Sequence, residues 1–351
     1  MSVRRTSLTA ATVVGAALGL TVAGSPLAAA PADTSDTEAA ALLEQAYLAA
    51  HSVSYQGVQY VSAWNDDGAT SLVVNVAHVP RTGLYVQVWP TPSADSIRTL
   101  ERDDTAVAST LPGLAAQPLL LLRRNYDLRV GAVSSVTGRP AVQVEAWRPD
   151  GTLAAQFWLD QRTRLVLRRE LYDRQSRLVR ASAYVSITIG RAEVPMTVVT
   201  AVPNAPGTRL TADQVGAMKN AKWHAPRVLD GSLTLYDARM TNGRVLHLSY
   251  SDGLSTVSLF EQRGRLDHGQ LASWREQHIK GSTVYRQGVL PERIVWSSRG
   301  IVYTMVADAP AGVAAAVVAQ LPHGRDRDDN GFFARLGRGF KRLGSWLNPF
   351  D

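Results

Sequence analysis

The stretch HLSYSDGLSTVSLF, residues 247–260, gathers a histidine, an aspartate and four serines between hydrophobic residues. His247, Ser251 and Asp252 are the residue types of a nucleophile, base and orienting-acid triad, in which histidine takes the proton of an attacking hydroxyl. Adjacency in sequence is not triad geometry, and no G-x-S-x-G elbow occurs in the chain to present a serine on a strained turn. The flanking residues point elsewhere. Leu246, Leu248 and Tyr250 alternate before Asp252–Gly253, and Val257 and Leu259 alternate after it. That pattern predicts two strands joined by a turn that needs positive φ, with His247 an ordinary strand residue.

Other chemistry is equally sparse. The seven histidines are scattered, and none forms H-E-x-x-H or another ligand spacing, so no metal site is expected. Asp66–Asp67, Asp103–Asp104 and Asp328–Asp329 fall in turns or linkers, and a calcium loop would need more oxygen ligands at regular spacing. Neither G-x-G-x-x-G nor a P-loop occurs, and no cofactor is expected. The chain reads as a protein that is not an enzyme. A hydrolase stays open as a third reading, because glycosidase-type carboxylates leave little local signature.

The elements that would position any site follow from periodicity. SDTEAAALLEQAYLAAHS opens with a capping pair, Ser35 and Glu38, and carries Leu42, Leu43, Ala46, Tyr47 and Ala50 at helical spacing. The period then changes to two. Val58, Tyr60, Ser62 and Trp64 alternate, then Leu72, Val74 and Val76, then Leu84, Val86 and Val88, with turn chemistry between the runs. QPLLLLRRNY reads as a short helix. Four further strand-like runs follow, with Leu153, Ala155, Phe157 and Leu159 on one face and Leu165 and Leu167 on one face of the next. Residues 31–202 are thus expected to form a large antiparallel sheet of seven or more strands with few helices.

Residues 203–210 read as a Pro/Gly linker, and Thr211 with Gln214 caps the start of a second unit, residues 211–322, of small α+β type. It should hold five strands and a helix with Pro310 near its start. Residues 323–331 form a charged linker. Beyond it, Phe332, Phe333, Leu336, Phe340, Leu343, Trp346 and Leu347 fall within an arc of about 140° on a helical wheel. Arg335, Arg338, Lys341 and Arg342 occupy the other side. Gly337, Gly339 and Gly344 each weaken such a helix by roughly 1 kcal/mol, so it should form only where its aromatic face is buried. Two readings remain for 332–351: peripheral binding to an anionic membrane, or docking on the protein's own body.

At 351 residues, 45% hydrophobic and 19% charged, the chain has the composition of a folded protein with room for two cores. Arg4 and Arg5, a short apolar stretch and small residues at Ala28 and Ala30 make residues 1–30 an export signal, with an uncleaved membrane anchor as the alternative. The mature protein is therefore expected outside the cytoplasm, in a periplasmic or other extracytoplasmic space. The absence of cysteine excludes thiol catalysis, thiolate metal sites and attachment of lipid through an N-terminal cysteine. The formal charge of +7 falls to +5 when Arg4 and Arg5 are removed, and for an exported chain this points to anionic lipid or an acidic protein rather than nucleic acid.

Two stretches carry a family resemblance. GRPAVQVEAWRPDG followed by FWLDQRTRLVLRRELYDRQSRLV resembles the heart of the N-terminal domain of the RseB/MucB family of sigma-E factor regulatory proteins. VLHLSYSDGLSTVSLFEQRG is similar to that family's C-terminal domain, whose mark is a tyrosine-serine-aspartate-glycine-leucine hairpin, and YQGVQYVSAW fits its first strand. The resemblance spans about residues 38–322 and implies a half-closed antiparallel β-barrel with plugging helices, like the carriers LolA and LolB, followed by a small α+β domain. It implies an extracytoplasmic, non-enzymatic protein that binds the outer segment of a single-pass anti-sigma factor and shields it from proteolysis, a shielding that a lipid-type signal relieves.

Three departures stand out. The family's usual Thr-Gly-Leu turn reads Thr163-Arg164-Leu165, so its shape is expected to differ. The segment after Pro149–Asp150 is short, and the basic aromatic tail lies outside the shared core.

A lipid-type ligand would sit on the apolar barrel face, with Val58, Tyr60, Leu72, Val74, Val86, Val88, Phe157 and Leu159 as its candidate lining; the competing expectation is that helices fill that face. On the cavity reading, Phe157→Asp should abolish lipid retention without unfolding. The rival function on the same half-barrel is a lipid or lipoprotein carrier, for which the ligand is cargo rather than signal.

Overall fold

The computed structural model describes residues 32–65, 68–89, 97–100, 116–192, 207–218, 222–288 and 291–324. The expected export signal, the tail helix, half of the first linker and most of the second lie outside these residues. Within them, no helix is long and apolar enough to cross a membrane.

Helix α1 (Ala32–Ser52) precedes β1 (Tyr55–Asn65), β2 (Gly68–Val79), β3 (Gly83–Trp89) and β4 (Ile97–Leu100). Helix α2 (Ala116–Asn125) leads into β5 (Asp127–Val136), β6 (Arg139–Trp147), β7 (Leu153–Asp160), β8 (Val166–Tyr172) and β9 (Leu178–Ile189). These strands make one nine-stranded antiparallel sheet in the order β4-β3-β2-β1-β9-β8-β7-β6-β5. Two meanders are stitched together where β1 meets β9. The sheet ends at β4 and β5, so it is open rather than a closed barrel.

The second sheet is also antiparallel. It contains β10 (Thr208–Arg209), β11 (Val228–Leu229), β12 (Leu233–Thr241), β13 (Val245–Ser251), β14 (Thr256–Arg263), β15 (Arg275–Ile279), β16 (Ser282–Gln287), β17 (Glu292–Ser298) and β18 (Ile301–Asp308). Its order is β10-β12-β13-β14-β18-β17-β16-β15, with β11 also on β12. Helix α3 (Ala212–Ala217) starts at the expected capping box: Gln214 N–H donates to Thr211 Oγ1 at 3.3 Å, and Thr211 N–H donates to Gln214 Oε1 at 2.8 Å. Helix α4 (Ala311–Gln320) has Pro310 at its N-cap and buries Ala314, Val317 and Val318 in a core with Leu246, Leu248, Tyr250 and Trp296.

The fold class is therefore α+β and mostly sheet, as expected from the alternation. One local expectation is corrected. Helix α1 begins at Ala32, so Ser35 lies inside its first turn and is not its cap. The strands that periodicity missed, β4, β5, β10, β11, β15 and β16, lie at or next to sheet edges. β5 and β15 are exposed along most of their length, so they carry no apolar alternation.

Candidate functional site

The register of the first sheet fixes which side chains share its concave face. Across β1 and β2, Gly57 faces Val76, Gln59 faces Val74 and Val61 faces Leu72. Val74 pairs with Val88 and Val76 with Val86. On the other meander Phe157 pairs with Val144 and Arg169, and Leu159 with Val142.

Helices α1 and α2 lie on this face. Ala39, Ala40, Leu43 and Ala46 of α1 and Leu119 and Leu122 of α2 form one core with Leu128, Val144, Phe157 and Leu159. The small residues on α1 let its backbone approach the sheet closely. Full burial of each large side chain contributes roughly 1.5–3 kcal/mol, so the helices stay seated. Asp36 Oδ1 accepts the Leu128 N–H at 3.0 Å and ties the start of α1 to β5.

The eight residues proposed to line a cavity are not brought together. Phe157 and Leu159 are fully buried beneath the helices. Val74 and Val86 are buried in a neighbouring cluster with Tyr55, Val61 and Tyr184, and Leu72 packs against it. Val88 pairs with Val74 in the ladder, and its side chain lies outside the described residues. Val58 and Tyr60 are corrected: they pair with Asn75 and Val73 on the opposite face, where Tyr60 is 47% exposed. In YQGVQYVSAW both phases alternate plausibly. The buried phase is Tyr55, Gly57, Gln59, Val61 and Ala63, so Tyr55 faces the core while Tyr60 and Trp64 face away from it.

The SDGL hairpin does join two strands, and it also joins the two sheets. Gly253 has φ of +106°, and a Cβ there would stand 2.3 Å from Leu122 N and 2.4 Å from Leu122 Cα, so glycine alone lets α2 sit against the turn. The Asp252 carboxylate accepts the Leu254 and Ser255 N–H groups at 2.8 and 2.7 Å and the Tyr126 hydroxyl at 2.9 Å. Asn125 Nδ2 donates to the Asp252 carbonyl at 2.9 Å. Burial, then the charge and hydrogen bond of Asp252, push the Tyr126 hydroxyl pKa well up.

Beside this contact lie two buried arginines that sequence reasoning did not single out. Arg169 donates to the Leu254 carbonyl at 2.7 Å; burial lowers its pKa to about 10, with Asp252 opposing the shift. Arg180 forms an ion pair with Asp308 at the end of β18. Burial and then Arg169 lower its pKa to about 9, against the pull of Glu292. Both remain cationic at neutral pH. The cavity between Arg180, Glu292, Trp64, Leu171 and Pro310 measures about 20 Å³, room for about one water. A readable signal existed for Arg169. It continues the inward phase of Leu165 and Leu167, where a cation is out of place unless something pairs it.

His247 does no triad chemistry. Its ring stacks on Phe260 at 4.1 Å, and burial lowers its pKa to about 4. Four residues separate it from Ser251 along β13, roughly 13 Å at strand rise, against the ~3 Å a base needs. Ser251 Oγ is engaged within the turn, donating to the Ser255 carbonyl at 2.8 Å and accepting the Gly253 N–H at 2.9 Å. Among the described residues no cluster of His, Asp or Glu could hold a metal ion.

The turn after β7 carries the departure from the family pattern. Arg164 has φ of +65°, the left-handed conformation a glycine would take. Asp160 Oδ1 accepts from Thr163 N–H and Thr163 Oγ1, each at 2.8 Å, and Arg164 Nε donates to Gln45 Oε1 of α1 at 3.0 Å. The turn thus keeps a glycine-type backbone despite the arginine.

An open antiparallel sheet with helices packed on one face, in contact with a second antiparallel sheet, defines an α+β scaffold. Residues 90–208 match the model of the MucB/RseB N-terminal domain. No curated protein matches the chain. Among solved structures, MucB in complex with MucA(peri) is 20% identical, covering 82% of this chain and 100% of that one, with a TM-score of 0.45. The Pseudomonas aeruginosa MucA/MucB complex is 21% identical over 80% of this chain and 96% of that one, also at 0.45. A LolA superfamily protein from Nitrosomonas europaea is 11% identical over 77% and 91%, at 0.18. At these values none of the three structures bears on function.

Proposed function

We propose that this protein is an extracytoplasmic, non-catalytic regulator that binds the outer segment of a single-pass anti-sigma factor and slows its proteolysis. The observation that carries the reading is the MucB/RseB domain match over residues 90–208. In this reading residues 31–202 and 211–322 act as two domains, residues 1–30 direct export, and the 332–351 tail holds the protein near an anionic membrane. A lipid-type signal would act at the β1–β3 end of the first sheet, near Leu72, Val74, Val86 and Val88, because α1 and α2 already cover Phe157 and Leu159. The same covering counts against the carrier alternative, in which cargo would need the whole concave face.

A pulse-chase of the anti-sigma factor in cells with and without this protein tests the proposal. The outer segment should be cleaved faster in its absence, with a rise in transcription dependent on the sigma factor. Equal lifetimes in the two strains would refute regulation of proteolysis.

A further inference from the structure

The second sheet is electrically polarised along its strands. Its end against the first sheet holds the carboxylates Asp252, Glu292 and Asp308, all buried. There Asp252 accepts the Tyr126 hydroxyl and Asp308 pairs with Arg180. Strand β18 runs between Asp308 at this end and Ile301 at the other, where Ile301 pairs with Arg263. At strand rise the two ends lie about 23 Å apart.

The far end is basic. The β12–β13 turn closes on Arg244, β14 runs out through Arg263 to Arg265, the β17–β18 turn is Arg299–Gly300, and the β15–β16 turn is Lys280–Gly281. All five cations are exposed. Gly264 N–H donates to the Gly300 carbonyl at 3.0 Å and holds the Arg263–Arg265 segment beside the Arg299 tip. With neighbouring strands about 4.8 Å apart, the tips make a rim roughly 24 Å wide. Lys280 and Arg299 take φ of +47° and +54°, a turn position that favours Asn, Asp or Gly, so each tip carries its charge against backbone preference. Acids nearby do not cancel the rim. The Asp267 carboxylate turns into its own loop, accepting the Gly269 N–H and Gln270 Nε2, each at 3.1 Å. Residues 325–351, which follow, hold six Lys or Arg and four Asp.

Cations standing side by side on loop tips do not converge on one anion; they match an extended negative surface. The chain also leaves for its tail from this rim: Gly324 N–H donates to Ser282 Oγ at 3.2 Å, next to the Lys280–Gly281 turn. Phe332, the first of the aromatic residues expected to meet a membrane, comes eight residues later, within about 28 Å of extended chain. Rim and tail can therefore meet the same plane. We propose that this rim docks the second sheet, end-on, against an anionic bilayer surface. The inference rests on the membrane placement within the proposed function and is independent of the anti-sigma partner.

Co-sedimentation of the mature protein, residues 31–351, with phosphatidylcholine vesicles containing or lacking phosphatidylglycerol tests it. A cation near an anionic surface contributes about fivefold to partitioning, so Lys280→Asn combined with Arg299→Asn should weaken binding to the anionic vesicles about 25-fold. Asparagine suits the left-handed turn positions, so both turns keep their shape. Arg81→Asn combined with Arg162→Asn removes the same charge from exposed turns of the first sheet, Arg81 also at positive φ, and should bind within about twofold of the parent. Matched thermal melts establish that the variants are folded. Retention of the anti-sigma partner by the rim variant, read in a parallel pull-down, keeps the two readings apart. Unchanged vesicle binding by the rim variant, an equal loss in both double variants, equal binding to vesicles lacking phosphatidylglycerol, or tighter binding to polyglutamate at matched charge would each overturn the proposal.

Discussion

Replacing Gly253 by alanine should uncouple the two sheets, and the structure gives the size of the effect. The new Cβ would lie 2.3 Å from Leu122 N, 2.4 Å from Leu122 Cα and 2.7 Å from Leu122 Cβ, all in helix α2. Backbone at that distance cannot rotate away, so α2 must move by about 1 Å, at a typical overpacking cost of about 1–3 kcal/mol. The positive φ adds roughly 1–2 kcal/mol for any residue with a Cβ. Together the substitution should cost on the order of 2–5 kcal/mol. Leu122 is fully buried with Phe157 and Leu43, so its displacement reaches the core of the first sheet. Gly243, in the turn between β12 and β13, supplies the control: its φ is +65° and nothing lies within 4 Å of its added Cβ. Gly243→Ala therefore carries the strain alone. Urea unfolding of both variants, followed by tryptophan fluorescence, isolates the docking contribution as their difference. If the two lose the same stability to within about 0.5 kcal/mol, Gly253 does not hold α2 and the account of the seam is wrong.

Three further outcomes follow from particular residues. Arg164→Gly relieves a left-handed arginine and loses one exposed hydrogen bond to Gln45, so the unfolding free energy from urea titration should stay or rise by up to about 1 kcal/mol; a loss of more than that would mean the Arg164–Gln45 contact matters more than the strain. Phe157→Asp puts a carboxylate at a fully buried position, so it should unfold the first sheet rather than report ligand loss; a native-like melt would show that the site is open. Glu261 is fully buried, with His224 N–H on one oxygen, and burial raises its pKa from 4.5 to about 8. Between those values the unfolded chain has released the proton and the native state has not, so stability falls as pH rises, by roughly 1.4 kcal/mol per unit. His247, depressed from 6.5 to about 4, works oppositely and costs stability as pH drops below 6.5. The Glu261 contribution is thus clearest above pH 6.5, and Glu261→Gln should flatten the decline from there to pH 8; an unchanged slope in urea titrations would place the titration elsewhere.

Where the chain is covered on one face, its sequence announces the structure. Leu153, Phe157 and Leu159 read as one face of a strand because that face must stay dry, and Leu246, Leu248 and Tyr250 do so for the same reason. Edge strands β5 and β15 escape notice because most of their residues are exposed and no apolar period is imposed. Phase failed on β1, where Tyr60 and Trp64 look like core residues but α1 and its neighbours require Gln59, Val61 and Ala63 on the inside. The docking role of Gly253 was hidden for a different reason. A turn glycine looks the same whether its missing Cβ faces solvent or the helix of another lobe, and only the partner Leu122, far away in sequence, tells the two apart. Arg169 was legible in principle as a cation in an inward phase, although its partner, the Leu254 carbonyl, was not.

The central claim is tested most directly by capturing membrane proteins from the native cell on immobilised mature protein, residues 31–351, and identifying them by mass spectrometry. The account predicts recovery of a single-pass membrane protein through its outer segment, one whose cytoplasmic part binds a sigma factor. Enrichment of lipid or lipoprotein without any such partner would contradict it.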